Sequence, residues 1–111
     1  MQLGIREGTH SGVPVVSLSG ELDLSTAPRV RGALQRVGSG PVVVDLDGVD
    51  AIDDIGLGVL VGAAGRLRSV GADLVLVCTD ERLLELLRRT RVDRAIEVRH
   101  TVADAVTLLT R

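Results

Sequence analysis

The chain has 111 residues, enough for one compact domain with its own core and too few for two ordinary ones. All thirteen basic residues are arginines, and with fifteen acidic residues they give a formal net charge of −2 at pH 7. This balance provides no global basic field for nucleic acid, and no aromatic side chain is present to stack on bases. We therefore expect residues 1–111 to form a single domain that does not bind nucleic acid directly.

Two strand patterns open the chain. Gln2 to Glu7 and Val13 to Ser19 are separated by the turn-rich segment Gly8 to Gly12. Two such patterns joined by a short glycine-containing turn are typical of an antiparallel hairpin.

Mostly apolar runs mark the centre of the predicted sheet. Pro41 to Leu46 and Asp73 to Cys78 have the composition of strands that are covered on both faces. The remaining patterns are a helix capped by Ser25 or Thr26 and running to about Val37, a helix from Ile55 to Val70, a short helix from Glu81 to Arg89, an edge strand from Ile96 to Val98 and a closing helix from Val102 to Leu109. Strands that alternate with helices predict an α/β fold.

A group of arginines in the C-terminal half is the only local candidate for a basic patch. Acidic residues are interspersed among these arginines, and we interpret the run as a solvated helix face. Its members are Arg82, Arg88, Arg89, Arg91, Arg94 and Arg99.

Cys78 is the only cysteine, so the chain can form neither an internal disulfide nor a cysteine metal cluster. We expect its thiol to be buried, although an exposed one could cross-link two copies, which leaves a homodimer open.

The uncharged run from Ile55 to Gly65 is well short of the ~20 residues that cross a bilayer, and the N-terminus lacks a signal pattern. We expect a cytoplasmic protein. The chain contains no lysine, asparagine, phenylalanine or tyrosine, and the codons of these residues are A/T-rich. Their joint absence indicates a bacterial source with a GC-rich genome.

The most informative segment runs from Val49 to Gly62. It combines aspartates, a glycine-rich turn and the start of an apolar helix. Each glycine in a helix interior costs roughly 0.5–1 kcal/mol relative to alanine, so several of them need a reason. They either leave the helix bare for another protein or let it pack closely against the sheet. They are Gly56, Gly58, Gly62 and Gly65.

This segment, with the apolar strand before it, resembles the signature of STAS domains, the fold shared by bacterial anti-sigma factor antagonists and the tails of sulfate transporters. In that family an aspartate precedes two hydroxyl residues and Gly-Leu-Gly, and the second hydroxyl accepts phosphate. The resemblance places Asp53 on the aspartate, Asp54 on the first hydroxyl and Ile55 on the phosphate acceptor. A second family phrase, Gly-Glu-Leu-Asp followed by Thr-Ala, matches residues 20–23 and 26–27.

The resemblance implies a single STAS domain over residues 1–111, with a mixed sheet of about five strands, an opening antiparallel hairpin and about four helices. It also implies an anti-sigma factor antagonist that binds an anti-sigma factor of histidine-kinase-like ATPase fold and so frees a sigma factor. By the resemblance, the partner-binding residues should lie close together and face that partner. They are Asp23, Asp53, Asp54, Ile55, Gly56, Leu57 and Gly58.

The family's phosphorylation switch requires a hydroxyl that this chain lacks. Isoleucine has no nucleophilic oxygen, so Ile55 cannot accept phosphate. Asp54, which we expect to cap the helix, carries one negative charge and would not reproduce a phosphate dianion one residue later. The protein is then an antagonist without this off state, an antagonist controlled by another input, or a STAS adaptor subunit of a different assembly.

A rival interpretation is enzymatic. The strand ending in Asp45-Leu46-Asp47-Gly48 looks like the first motif of haloacid-dehalogenase-type phosphohydrolases, in which Asp45 would be the nucleophile, Asp47 the acid/base, and Mg²⁺ the bridge to a phosphate. Those enzymes normally use a later lysine, and the chain has none. We favour a strand end followed by a turn, and a protein that is not an enzyme and uses no cofactor or metal. The five aspartates 45, 47, 50, 53 and 54, interpreted as an approach loop, would also repel a bound phosphate.

Overall fold

The computed structural model describes residues 2–111. Within them the chain forms five strands and five helices: β1 (Leu3–His10), β2 (Val13–Leu22), α1 (Ala27–Arg36), β3 (Val42–Ile52), α2 (Asp54–Ser69), β4 (Leu74–Val77), α3 (Glu81–Arg89), α4 (Val92–Ala95), β5 (Glu97–Arg99) and α5 (Val102–Thr110). The strands form one mixed sheet in the order β1-β2-β3-β4-β5. The predicted α/β class and five-stranded sheet are confirmed.

The opening hairpin is antiparallel, as predicted, and His10 pairs with Val13. Ser11 and Gly12 form its two-residue connection with φ angles of 51° and 81°. Positive φ at both central residues is typical of a type I′ turn, whose twist matches that of the flanking strands. The other strand pairs, β2–β3, β3–β4 and β4–β5, are parallel.

The central strands are buried on both faces because their side chains alternate between two cores. Val42 and Val44 of β3 contribute to the larger core, together with buried residues of α1, α2, α3 and α4. Val43 lies in the smaller core with Ala105 and Val106 of α5. The domain therefore has four helices on one face of the sheet and one helix on the other.

The interpretation of Asp45 to Gly48 as a strand end with a turn is wrong, because β3 continues to Ile52. Ser17 of β2 pairs with Asp45, whereas Ser19 pairs with Gly48, so β3 contains one extra residue between these two pairs. Such a bulge lets a strand continue through a sequence that resembles a turn. Aspartates 45, 47 and 50 consequently lie on β3 instead of in an approach loop.

Residues 2–111 form five helices where about four were expected, and the additional helix lies in the C-terminal half. Arg91 has a left-handed backbone with φ of 63°, and the four-residue helix α4 begins immediately after it. The arginine run therefore does not form one helix face. Arg82, Arg88 and Arg89 lie on α3, whereas Arg94 and Arg99 belong to α4 and β5.

Candidate partner-docking site

The N-terminus of α2 is tied to the end of β2 by one side chain. Asp53 occupies the N-cap position, and its Oδ1 accepts a hydrogen bond of 2.9 Å from the Gly56 amide. Its Oδ2 accepts from the Leu24 amide at 3.3 Å, and the Asp53 amide donates to the Leu22 carbonyl at 3.1 Å. Asp54, expected to be the cap, is instead the first helical residue. The carboxylate of Asp54, in the first turn of α2, also interacts favourably with the helix dipole.

Asp23 organises the neighbouring turn before α1. Its Oδ1 accepts hydrogen bonds from the Ser25 hydroxyl at 2.7 Å, the Ser25 amide at 2.9 Å and the Thr26 amide at 3.2 Å. The Ser25 hydroxyl is the main cause that lowers the pKa of Asp23, and the two amides add to it, while partial desolvation opposes the shift. Thr26 is the N-cap of α1, but its side chain makes no capping bond and instead donates to the Glu21 carbonyl at 2.8 Å. The Leu24 amide, which Asp53 binds, directly follows Asp23 in the chain. The structure thus places the Asp23 turn next to the N-terminus of α2.

Gly56 and Leu57 lie in the core and not on the surface. A Cβ atom at Gly56 would approach the Leu22 carbonyl oxygen and side chain to 2.7 Å, and Leu57 is only 6% exposed. These contacts press the first turn of α2 against the end of β2. For Gly56, the packing explanation of the helix glycines therefore applies.

The outer side of the N-terminal half of α2 is bare and apolar, whereas the Arg66 guanidinium lies over Gly62 further along the helix. Ile55 is 46% exposed and Val61 is 38% exposed. A Cβ atom at Gly58 or Gly65 would meet nothing within 4 Å. Positions 55, 58, 62 and 65 share one helix face, since residues three or four apart are neighbours on a helix. For the outer glycines the structure thus leaves open an approach by another protein's backbone.

Leu24 extends this surface and was missed from the sequence. Among residues 2–111 it is the most exposed large hydrophobic residue, at 71%, and its amide is anchored by Asp53. No periodic pattern marks it, because a single leucine between a strand and a helix cap has no periodic neighbours. We call the surface formed by Leu24, Ile55, Gly58 and Val61, with the exposed carboxylates of Asp53 and Asp54 beside it, the α2 tip.

The pair Asp45 and Asp47 is occupied by internal hydrogen bonds. The Asp47 amide donates to Asp45 Oδ1 at 2.9 Å. Asp47 Oδ1 accepts from the Thr79 amide at 2.7 Å and from the Thr79 hydroxyl at 3.0 Å. Among residues 2–111, no group of three or more His, Cys, Asp or Glu side chains is arranged to hold a metal ion. The two carboxylates thus brace the β3 bulge and the segment after β4.

Cys78 is buried, as expected, and burial raises the pKa of its thiol. Its Sγ lies 3.8 Å from the Asp80 carbonyl oxygen. In the described part of the chain, no helix has the length and apolar character needed to span a bilayer.

The fold and this exposed helix tip define a small α/β domain that carries an apolar surface patch beside exposed carboxylates. The family model for the STAS domain matches residues 6–105, and the chain belongs to this family. An anti-sigma-B factor antagonist of Listeria monocytogenes is 39% identical over 88 residues, which is 77% of each chain. An anti-sigma F factor antagonist of Paenibacillus polymyxa is 29% identical over 98% of this chain and 97% of its own length.

The fold is also shared with solved structures. The crystal structure of an anti-sigma factor antagonist from Mycobacterium paratuberculosis superposes with a TM-score of 0.84 at 25% identity, covering 99% of this chain and 96% of its own. The STAS fold expected from the resemblance is confirmed, with five helices in place of about four.

Proposed function

We propose that the protein is an anti-sigma factor antagonist that uses the α2 tip to bind an anti-sigma factor of histidine-kinase-like ATPase fold and so frees a sigma factor. The observation that carries this proposal is the exposure of Ile55 and Leu24 on a surface built by two segments that lie 29 positions apart. An exposed apolar patch with a polar border is typical of protein-binding surfaces. The names of the relatives support the kind of partner. We expect the complex to form in the bacterial cytoplasm.

The roles of the individual tip residues follow from their positions. Leu24 and Ile55 would enter the partner's surface, and Gly58 would allow a close backbone approach. Asp23 and Asp53 would hold the two segments in place, while the exposed carboxylate of Asp54 would meet a positively charged group. Gly56 and Leu57 would contribute indirectly, by packing the tip against β2.

The proposed docking has no phosphate switch at Ile55. In a relative with a hydroxyl here, phosphate would add about −1.5 to −2 charges to the docking surface. An isoleucine keeps this position apolar, so a kinase partner would bind without being able to modify it. The off state would then come from another input.

The test measures binding to the anti-sigma factor, identified by affinity capture from the source cell. Ile55→Arg and Leu24→Arg place a charge in the centre of the α2 tip and should weaken binding about thirtyfold or more, as expected for central interface residues. Val70→Arg is the matched control, because Val70 is a 62% exposed apolar residue at the opposite end of the same helix. Equal loss in all three variants, or in none, would contradict docking at the tip.

The same capture distinguishes the alternatives. A partner outside the ATPase fold that still depends on Ile55 would identify a STAS adaptor of another assembly. Magnesium-dependent hydrolysis of phosphate esters that Asp45→Asn abolishes would identify a phosphohydrolase. An antagonist, assayed as the purified protein without added small solutes, should bind its partner almost unchanged after Asp45→Asn, since Asn keeps the oxygen that accepts from the Asp47 amide.

A further inference from the structure

A polar depression lies on the sheet face opposite the four-helix layer, across β1, β2 and β3. It has a volume of about 410 Å³. This size falls within the roughly 300–1,000 Å³ range of small-ligand pockets. α5 packs on Val13 and Val43, towards the other end of these strands, and leaves the depression open.

Two opposite charges stand on either side of the depression. Arg6, Ser17 and Asp45 are cross-strand neighbours in one row, with Ser17 in the middle. Strands are spaced about 4.8 Å apart, so the backbones of Arg6 and Asp45 are about 10 Å apart. Neither side chain forms an ion pair within residues 2–111. Asp45 uses Oδ1 to accept from the Asp47 amide, which leaves Oδ2 for a ligand.

The adjacent row of cross-strand neighbours forms the rest of the floor and contains two residues without side chains. It consists of Gly4, Ser19 and Gly48, again in register across the three strands. A Cβ atom at Gly48 would lie 2.9 Å from both the Leu18 carbonyl oxygen and the Ser19 side chain, so the bulge requires glycine here. In the described part of the chain, neither the Ser17 hydroxyl nor the Ser19 hydroxyl makes a hydrogen bond. The floor thus offers one unbonded hydroxyl, that of Ser17, between the two charges, and a second, that of Ser19, in the adjacent row.

We infer that this depression binds a small zwitterionic solute, an amino acid with one carboxylate and one ammonium group. The carboxylate binds the Arg6 guanidinium, the ammonium group binds Asp45, and the hydroxyls of Ser17 and Ser19 are available to hydrogen-bond these same two charged groups. Charge-assisted hydrogen bonds at both ends favour a ligand that carries both charges over one that carries a single charge.

The site lies on the two strands that lead to the α2 tip. From Ser19, β2 continues for three more residues to its end at Leu22. From Gly48, β3 continues to its end at Ile52, and Asp53 follows directly. A solute that bridges Arg6 and Asp45 holds β1, β2 and β3 together beside the bulge. It is therefore placed to act as the input that controls docking, a step that rests on the proposed function.

The binding site is tested on the isolated protein by following backbone amide shifts during titration with glycine, β-alanine and γ-aminobutyrate, which differ in the spacing of their charges. At least one should produce saturable shifts at residues 4–6, 17–19 and 45–48, and should bind about tenfold or more tightly than acetate or methylammonium. Arg6→Gln and Asp45→Asn should each remove this preference. Arg31→Gln and Asp93→Asn, exposed residues on other elements without ion pairs within residues 2–111, are the matched controls.

Absence of saturation by any of the three amino acids at about 50 mM, where a site with a Kd of about 1 mM would be filled, would overturn the site. Equal binding of acetate and glycine would overturn the zwitterion assignment. Because no partner is present in this titration, its failure is distinct from a failure of the docking function. The regulatory step is overturned if a saturating amino acid leaves the affinity for the anti-sigma factor unchanged.

Discussion

The Asp53 carboxylate joins Leu24 to the first turn of α2. One oxygen accepts from the Gly56 amide at 2.9 Å, and the other accepts from the Leu24 amide at 3.3 Å. A helix cap that has a second partner 29 residues away couples local helix formation to the placement of a distant turn. The backbone of Leu24, whose side chain is exposed, is therefore held at the start of α2 by the same side chain that caps the helix.

Asp53→Ala should destabilise the domain by about 1 kcal/mol, because the N-cap bond is lost. The measurement is the free energy of unfolding from urea denaturation. Asp54→Ala is the matched control, since Asp54 is an exposed aspartate one residue later for which the structure gives no hydrogen bond between its side chain and residues 2–111. A loss that is the same in both variants would show that the negative charge matters and the cap does not.

Two glycines of α2 should respond in opposite ways to alanine. Gly56→Ala should lower the free energy of unfolding by about 1–3 kcal/mol, because its Cβ would overlap the Leu22 carbonyl oxygen. Gly58→Ala should raise it by about 0.5–1 kcal/mol, because its Cβ would point into open space and alanine is the better helix former. Stabilisation by both substitutions would contradict the close packing of α2 on β2.

The parts of the fold that the sequence predicted are those with local signals. The apolar runs at 41–46 and 73–78 identified two central strands, and the turn-rich segment Gly8 to Gly12 identified the hairpin, although only Ser11 and Gly12 form the turn and β1 continues to His10. The expected closeness of Asp23 to the glycine-rich turn came from the family resemblance, because no local pattern reports a contact across 29 residues. Apolar periodicity alone would have left the α2 tip without Leu24.

The parts that were missed depend on non-local contacts or on very short segments. Asp53 and Asp54 are equally good caps by residue type, and the choice between them depends on the bond to Leu24. The β3 bulge depends on the pairing with β2, which the sequence of β3 alone does not encode. Helix α4 has four residues, about one helical turn, so it carries no periodicity.

Acid should weaken the domain partly through Asp23. Its pKa is lowered in the folded state, chiefly by the Ser25 hydroxyl. A lowered pKa contributes stability above the unfolded value of about 3.9, and this contribution is lost as the pH falls through the folded value. Asp23→Asn removes the titrating group.

Urea denaturation of the native protein and of Asp23→Asn between about pH 5 and pH 2 measures this contribution. The native protein should lose stability more steeply than the variant below about pH 4. Asp93→Asn, a substitution of an exposed residue on α4, should retain the native slope. If the free energy of unfolding falls with pH equally steeply in the native protein and in Asp23→Asn, the hydrogen bonds around Asp23 do not stabilise its charged form over its protonated form.

Ile55→Ser should turn the α2 tip into a kinase substrate, provided that the variant still binds a partner with kinase activity. Position 55 lies in the first turn of α2, where a phosphate group is favoured by the helix dipole. Labelled ATP should transfer phosphate to the variant and not to the native protein, and the added charge should then weaken binding. Asp54→Ser and Gly58→Ser place a hydroxyl one residue before and one turn after, and should remain unmodified. If Ile55→Ser binds but accepts no phosphate, or if the native protein is labelled near Ile55, the proposed alignment of Ile55 with the acceptor position is incorrect.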